Sequence, residues 1–228
     1  MAKQPRVEIR YPKTSSEELM DLDPDSFWKN EENIKSISKG LSDSDLKALD
    51  IVLESLNNNL NYASRQELIS RLRYRGFSEG EAEPIIDLCQ IDFKMQALKR
   101  TLYMMNDTSF SPYTLKENLM NSGFSSEDAD YAIEHCETNW DLQTKHTIQS
   151  YLYRFEISEQ SLCDQMEDEK YDAVVVKKYI ENLHPDWERE CLQAALSYPY
   201  RKPEELQEFL ESEKFTSEQI DYVLKFIY

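Results

Sequence analysis

The sequence predicts an all-α fold of tandem three-helix repeats, about 47 residues each, stacked as a short α-solenoid. Phe93, Trp140 and Trp187 recur at a constant step of 47 residues, and Phe77, Phe124 and Tyr171 keep the same step. A period of that size marks stacked copies of one helical unit. Glycine is scarce, with 4 in 228 residues. That argues against β-rich and dinucleotide-binding folds, whose turns and phosphate loops need it. Leu, Glu, Lys, Gln and Ala, which favour helix, dominate instead.

Residues 1–41 do not carry the repeat. They are polar and punctuated by Pro12 and Pro24, and read as an arm or cap in which Phe27, Trp28, Ile34 and Ile37 dock a short helix. Residues 42–228 form the repeat domain, in copies of approximately 42–92, 93–139, 140–186 and 187–228. The segment from Leu46 to Leu60 is the long helix of the first copy.

The second copy shows the unit best. Ser111 and Pro112 read as an N-cap followed by proline at the first helical position. Leu115 and Leu119 share a face at i, i+4. Gly123 ends the helix where positive φ is favourable, and Phe124 packs back on it. Ser125 and Asp128 form a capping box for the next helix. Ala129, Ala132, Ile133 and Cys136 give that helix its apolar face, and Trp140 opens the next long helix.

The first copy repeats this with Ser64, Leu68, Leu72, Gly76, Phe77 and Ser78, and with Glu67 and Glu81 completing two capping boxes. The third uses Ser158, Leu162, Met166, Lys170 and Tyr171. The last uses Leu206, Leu210, Lys214, Phe215, Thr216 and Gln219, with three residues lost before it. Roughly twelve helices and no strand result. The aromatic ruler is expected to supply buried staples between units.

Two departures predict local differences. Pro84 lies inside a helical pattern, where it removes a donor and clashes with the preceding turn, so that helix should be kinked or shortened. Lys170 stands where the other copies have glycine, so that corner should adopt a different cap.

No nucleotide-binding, zinc-protease, hydrolase-elbow or zinc-ribbon motif is present. His135, His146 and His184 match no metal-ligand spacing. The sequence therefore predicts no catalytic residue, no cofactor and no metal, and a protein that is not an enzyme. The four cysteines, Cys89, Cys136, Cys163 and Cys191, form no CxxC and read as reduced, mostly buried thiols.

The formal net charge is −18. Such a surface repels nucleic-acid phosphates and anionic membranes, so neither direct nucleic-acid binding nor a membrane contact is expected. The acidity either solubilises the chain or attracts a basic protein surface. The segments after the tight turns, SEGEAEP, SSEDADY and TSEQIDY, are acidic or neutral, against a DNA-reading helix. Arg65, Arg71, Arg73 and Arg75 form a local basic stripe with Tyr74 interleaved, and Arg71, Arg73 and Arg75 are candidate partner-binding residues. They either pair with acidic neighbours or meet an acidic patch. Tyr151, Tyr153, Tyr198 and Tyr200 mark a candidate partner surface, since tyrosine buries large area at small entropic cost. The opening MAKQPRVEIR holds no apolar signal-type run, and the expected location is cytoplasmic.

The motif carried by Ser111, Leu115, Leu119, Gly123, Phe124, Ser125, Asp128, Ala129, Asp130, Tyr131, Ala132, Ile133 and Trp140 resembles the repeat of the Ltp-type host-cell-surface-exposed lipoproteins. The resemblance covers roughly residues 46–228. It implies a wholly helical, non-enzymatic protein of phage or mobile-element origin, similar to superinfection-exclusion factors that block DNA delivery by an incoming phage, apparently by engaging its tape-measure protein. This chain departs from the family in showing no signal peptide or lipobox and in having more repeats. The charge supports an alternative: an acidic mimic of nucleic acid that inhibits a defence nuclease such as a CRISPR effector. Either way the partner is a protein of phage or host.

Overall fold

The computed structural model describes residues 18–19, 22, 26–57, 62–199 and 202–228. Among them the structure is all helical, with thirteen α-helices, a 3-10 turn at Phe27–Lys29 and no strand. The all-α tandem-repeat class predicted from the 47-residue period is the class observed. Two compact units are present. The described residues of Tyr11–Thr108 join Thr114–Thr138 in one, and Ser109–Tyr113 joins Asn139–Tyr228 in the other.

In the first unit, α1 (Glu31–Ser38) precedes α2 (Asp43–Asn57), α3 (Arg65–Tyr74) and α4 (Glu79–Leu88). There follow α5 (Phe93–Met104), α6 (Pro112–Asn121), whose first two residues belong to the other unit, and α7 (Ser126–His135). The second unit holds α8 (Trp140–Arg154), α9 (Glu159–Asp168), α10 (Ala173–Leu183), α11 (Trp187–Ser197), α12 (Pro203–Ser212) and α13 (Ser217–Ile227). From α2 onward these twelve helices fall into modules 1 to 4 of three helices each, α2–α4, α5–α7, α8–α10 and α11–α13; the first helix of each packs on the third and is the longest in all but module 4, where both have 11 residues.

The aromatic ruler sits at the first residue of α5, α8 and α11. Asp92, Asn139 and Asp186 precede it, and each side chain accepts a backbone N–H at the third helical position. The aromatics are half-buried rather than buried. Phe93 packs on the core of module 1, around Leu49, Leu72 and Ile86, and Trp187 packs on the core of module 3, around Leu162, Met166 and Ile180. Phe93 and Trp187 thus each connect two successive modules.

The capping boxes at Ser64/Glu67, Ser78/Glu81, Ser125/Asp128 and Thr216/Gln219 all form. Trp28, Ile34 and Ile37 dock on the module 1 core, as their sequence pattern implies. The first long helix begins at Asp43, three residues before Leu46, and the expected 58–60 lies outside the described residues.

Two expectations need correction. Lys170 does not adopt a different cap. Its φ is +59°, in the left-handed region with Gly76 and Gly123, and Lys214 matches it at +63°. The following aromatic N–H still bonds back five residues: Phe77 to Leu72, Phe124 to Leu119, Tyr171 to Met166 and Phe215 to Leu210, at 3.0–3.2 Å. The corner is imposed by the need to return that aromatic to the core, and lysine bears the strain. Nor does Pro84 shorten its helix, since α4 and α7 both have ten residues. Pro84 lies at an exposed position of α4, where a lost intrahelical bond leaves its acceptor in reach of water.

The N-cap serines have a second function. Ser64 Oγ accepts from the Glu67 N–H at 3.1 Å and donates to the Ser122 carbonyl at 2.7 Å. Ser158 Oγ accepts from the Ser161 N–H at 3.1 Å and donates to the Glu213 carbonyl at 2.7 Å. Ser111, within the second unit, donates to the Glu169 carbonyl. Each acceptor directly precedes the left-handed residue of the following module, so the buried hydroxyls of Ser64 and Ser158 each cap their own helix and hold the next module's turn. In module 4 the position is Lys202, which has no side-chain cap bond.

Candidate partner-binding surface

In module 1, α2 and α3 line a groove of about 400 Å³. Ile51, Glu54 and Ser55 form one side, and Arg71, Tyr74 and Arg75 lie along the other. Residues 71, 74 and 75 share a helix face by their i, i+3, i+4 spacing, which excludes Arg73 from the lining. Tyr74 is 89% exposed, the most exposed large apolar side chain described. Arg65 pairs with Asp87 at 2.5 Å and lies over the Phe93 ring. Among the described residues Arg71, Arg73 and Arg75 make no ion pair. Of the four arginines of the stripe, Arg65 meets the expectation of an acidic partner and the other three do not. They sit in the last turn and C-cap of α3, where the helix dipole favours cations without a carboxylate partner.

The tyrosines divide. Tyr151 turns inward, donating its hydroxyl to Glu169 and packing with Phe155 at 5.8 Å. Burial, then the Glu169 carboxylate, push its phenol well above the usual range. Tyr153 is exposed, as is Phe155 two residues on. Tyr198 stacks on Phe209 at 3.8 Å with an interplanar angle of 8°, so its ring is committed to module 4. Tyr200 lies outside the described residues. The structure thus brings Arg71, Tyr74 and Arg75 into one groove, and leaves Tyr153 with Phe155 as the solvent-facing part of the tyrosine set.

A second groove, in module 3, was not foreseen from the sequence. It lies between α9 and α10, has a volume of about 460 Å³ and includes Cys163, Met166, Val176 and Ile180 in its lining. The signal was present in the step of 47. Module 2 has Lys116 and Asp130, paired at 2.6 Å across α6 and α7, where module 3 has Cys163 and Lys177.

The histidines do no joint work. His135 stacks on Tyr131 at 3.9 Å. His184 is the left-handed C-cap of α10. His146 is partly buried, which with nearby Lys145 lowers its pKa. Among the described residues no three His, Cys, Asp or Glu side chains converge in a way that could hold a metal ion, and no helix is long and apolar enough to cross a membrane. The thiols are all free. Burial pushes Cys89 to about 11 and Cys191 to about 12, leaving them inert as nucleophiles at neutral pH.

Fold and surfaces together define a helical tandem-repeat protein with side-chain-lined grooves on individual modules. Residues 92–136 match the family model Lipoprotein_Ltp, described as host cell surface-exposed lipoprotein. The match runs from the N-cap Asp92 to Cys136, the C-cap of α7, which is one module. The resemblance to the Ltp-type family read from the second copy is thereby shown over that module. No curated protein and no solved structure matches the chain.

Proposed function

We propose that this chain is a non-enzymatic protein-binding module of phage or mobile-element type, which interferes with another phage or with a host defence component by protein–protein contact. The match of one complete module to the Ltp-type family carries the reading. The tandem architecture supports it, because repeated modules present extended surfaces rather than one catalytic cleft. So does the module 1 groove, where Arg71 and Arg75 flank the exposed Tyr74. Tyrosine and arginine are the residue types most enriched at binding hot spots.

The test is expression in a Gram-positive host challenged with a phage panel, with tagged protein recovered in parallel. Reduced plating of at least one phage is expected, together with one stoichiometric protein partner. Arg71→Ala with Tyr74→Ala should weaken capture at least tenfold while the thermal melt is retained. Unchanged plating across the panel, with no stoichiometric partner recovered, defeats the reading.

A further inference from the structure

We infer that the α9–α10 groove of module 3 is a docking site for a basic amphipathic helix of a partner protein. The inference rests on the protein-binding reading above and names the surface and the chemistry of its occupant. Modules 2 and 3 serve as internal controls for one another. In module 2 the two short helices are bridged across their open side by Lys116 and Asp130 at 2.6 Å. One repeat later those positions are Cys163 and Lys177, and a thiol and an ammonium form no bridge. The site left unbridged is the groove of about 460 Å³, a volume in the range of ordinary binding pockets.

Its interior is apolar. Met166, Val176 and Ile180 form the floor, buried at 0–5% exposure, and Cys163 stands half-exposed on one wall. Val174, adjacent to the lining residue Ala173, is 79% exposed, a high value for a β-branched apolar side chain. The rim is charged and unbalanced. Glu159, Glu167 and Glu181 face a single cation, Lys177, which lies 4.0 Å from Glu181 with both side chains largely in solvent. An apolar slot with a net negative rim is complementary to a helix that offers an aliphatic stripe flanked by lysine or arginine. The whole chain's charge of −18 speeds the approach of such a partner.

The deciding variant closes the groove with the protein's own solution: Cys163→Lys with Lys177→Asp restores the module 2 pair at surface positions. It makes the chain more acidic by one charge, so non-specific attraction of a cation would rise rather than fall. The probe is a fluorescein-labelled 18-residue amphipathic helix with a leucine stripe and lysines elsewhere. Its counterpart has glutamate for lysine. Fluorescence anisotropy with the full chain should show saturable binding of the lysine peptide. Binding should be at least tenfold weaker for the closed variant and for Glu159→Gln/Glu167→Gln/Glu181→Gln, and weaker still for the glutamate peptide. Absence of saturable binding overturns the inference, as does equal affinity of a closed variant whose thermal melt matches the parent.

Plating assays separate this inference from the reading beneath it. If parent and closed variant both exclude phage equally, the groove is not the working surface and the protein-binding reading stands. If neither excludes any phage, that reading falls, and the anisotropy titration judges the groove alone.

Discussion

Gly123→Ala tests the inter-module corner directly. Gly123 has φ of +85°, and a Cβ built there would lie 2.7 Å from Gln66 Cβ and 2.8 Å from Ser64 Oγ. Neither atom is the free end of a flexible chain. Gln66 Cβ is tied to α3, and Ser64 Oγ is fixed by two hydrogen bonds. Three effects add. The left-handed conformation costs an alanine roughly 1–2 kcal/mol, overpacking adds about 1–3 kcal/mol, and displacing Ser64 weakens a bond of about 1 kcal/mol. The lower entropy of the unfolded alanine chain offsets about 0.4–1 kcal/mol. The net loss is about 3 kcal/mol, or roughly 6–12 °C in Tm for a chain of this size. Gly76→Ala is the control. Its φ is +96°, yet nothing lies within 4 Å of its Cβ position, so only the conformational effect remains, about 1 kcal/mol. Urea unfolding followed by circular dichroism reads both variants. If Gly123→Ala is no more destabilising than Gly76→Ala, the close approach of modules at that corner is not real.

Other outcomes follow from the same geometry. Ser64→Ala and Ser158→Ala should each lower stability by about 2–3 kcal/mol in urea titrations, because each removes a cap and leaves a carbonyl of the next module unmet, whereas Lys202→Ala should change it by under about 1 kcal/mol. Lys170→Gly should raise the unfolding free energy from urea titration by about 0.5–1 kcal/mol, strain relief exceeding the entropy of the unfolded glycine. His146 has a folded pKa below its ordinary 6.5, so the unfolded ring binds protons more readily. Stability should therefore fall as pH drops through 6.5 and level off below the folded value, and His146→Gln should flatten that slope in Tm measured from pH 8 to 5. Of the four thiols, Cys163 is half-exposed and the others are buried. A disulfide reagent should consume one thiol quickly in the native protein and the other three only on denaturation.

Much of the fold was legible because the caps are local chemistry repeated at a fixed step. Ser78 with Glu81, Ser125 with Asp128 and Thr216 with Gln219 each signal a helix start within four residues, and all three form. What was missed is non-local. Ser64 reads as a cap, but its bond to the Ser122 carbonyl spans 58 residues and no periodicity announces it. A second left-handed corner precedes α5, α8 and α11, at Gln90, Glu137 and His184. It was invisible because none of these is glycine. Lys170 misled for the same reason: residue preference at a corner is a weak prior when the next aromatic must reach the core. Of the candidate surface, Arg71, Tyr74 and Arg75 could be read from helical spacing. The inward turn of Tyr151 toward Glu169 could not, because it requires knowing which helix lies alongside.

These misses share a direction, and it bears on function. What the modules have in common holds the array: the N-cap serine and its distant carbonyl, the returning aromatic and the left-handed turn. Folding constrains those positions by their geometry, which Lys170 and Lys214 reproduce at the corner without glycine. The Lys116–Asp130 bridge is not one of those common features: the same positions hold Ile69 and Glu83 in module 1 and Cys163 and Lys177 in module 3. Module 3 carries Cys163 and Lys177 where module 2 carries the Lys116–Asp130 bridge, and its groove has an apolar lining whose cover by a partner would be worth ~25 cal/mol per Å² of area buried. An unfilled slot with an acidic rim, on a frame otherwise repeated with little change, is better accounted for by something that fills it from outside.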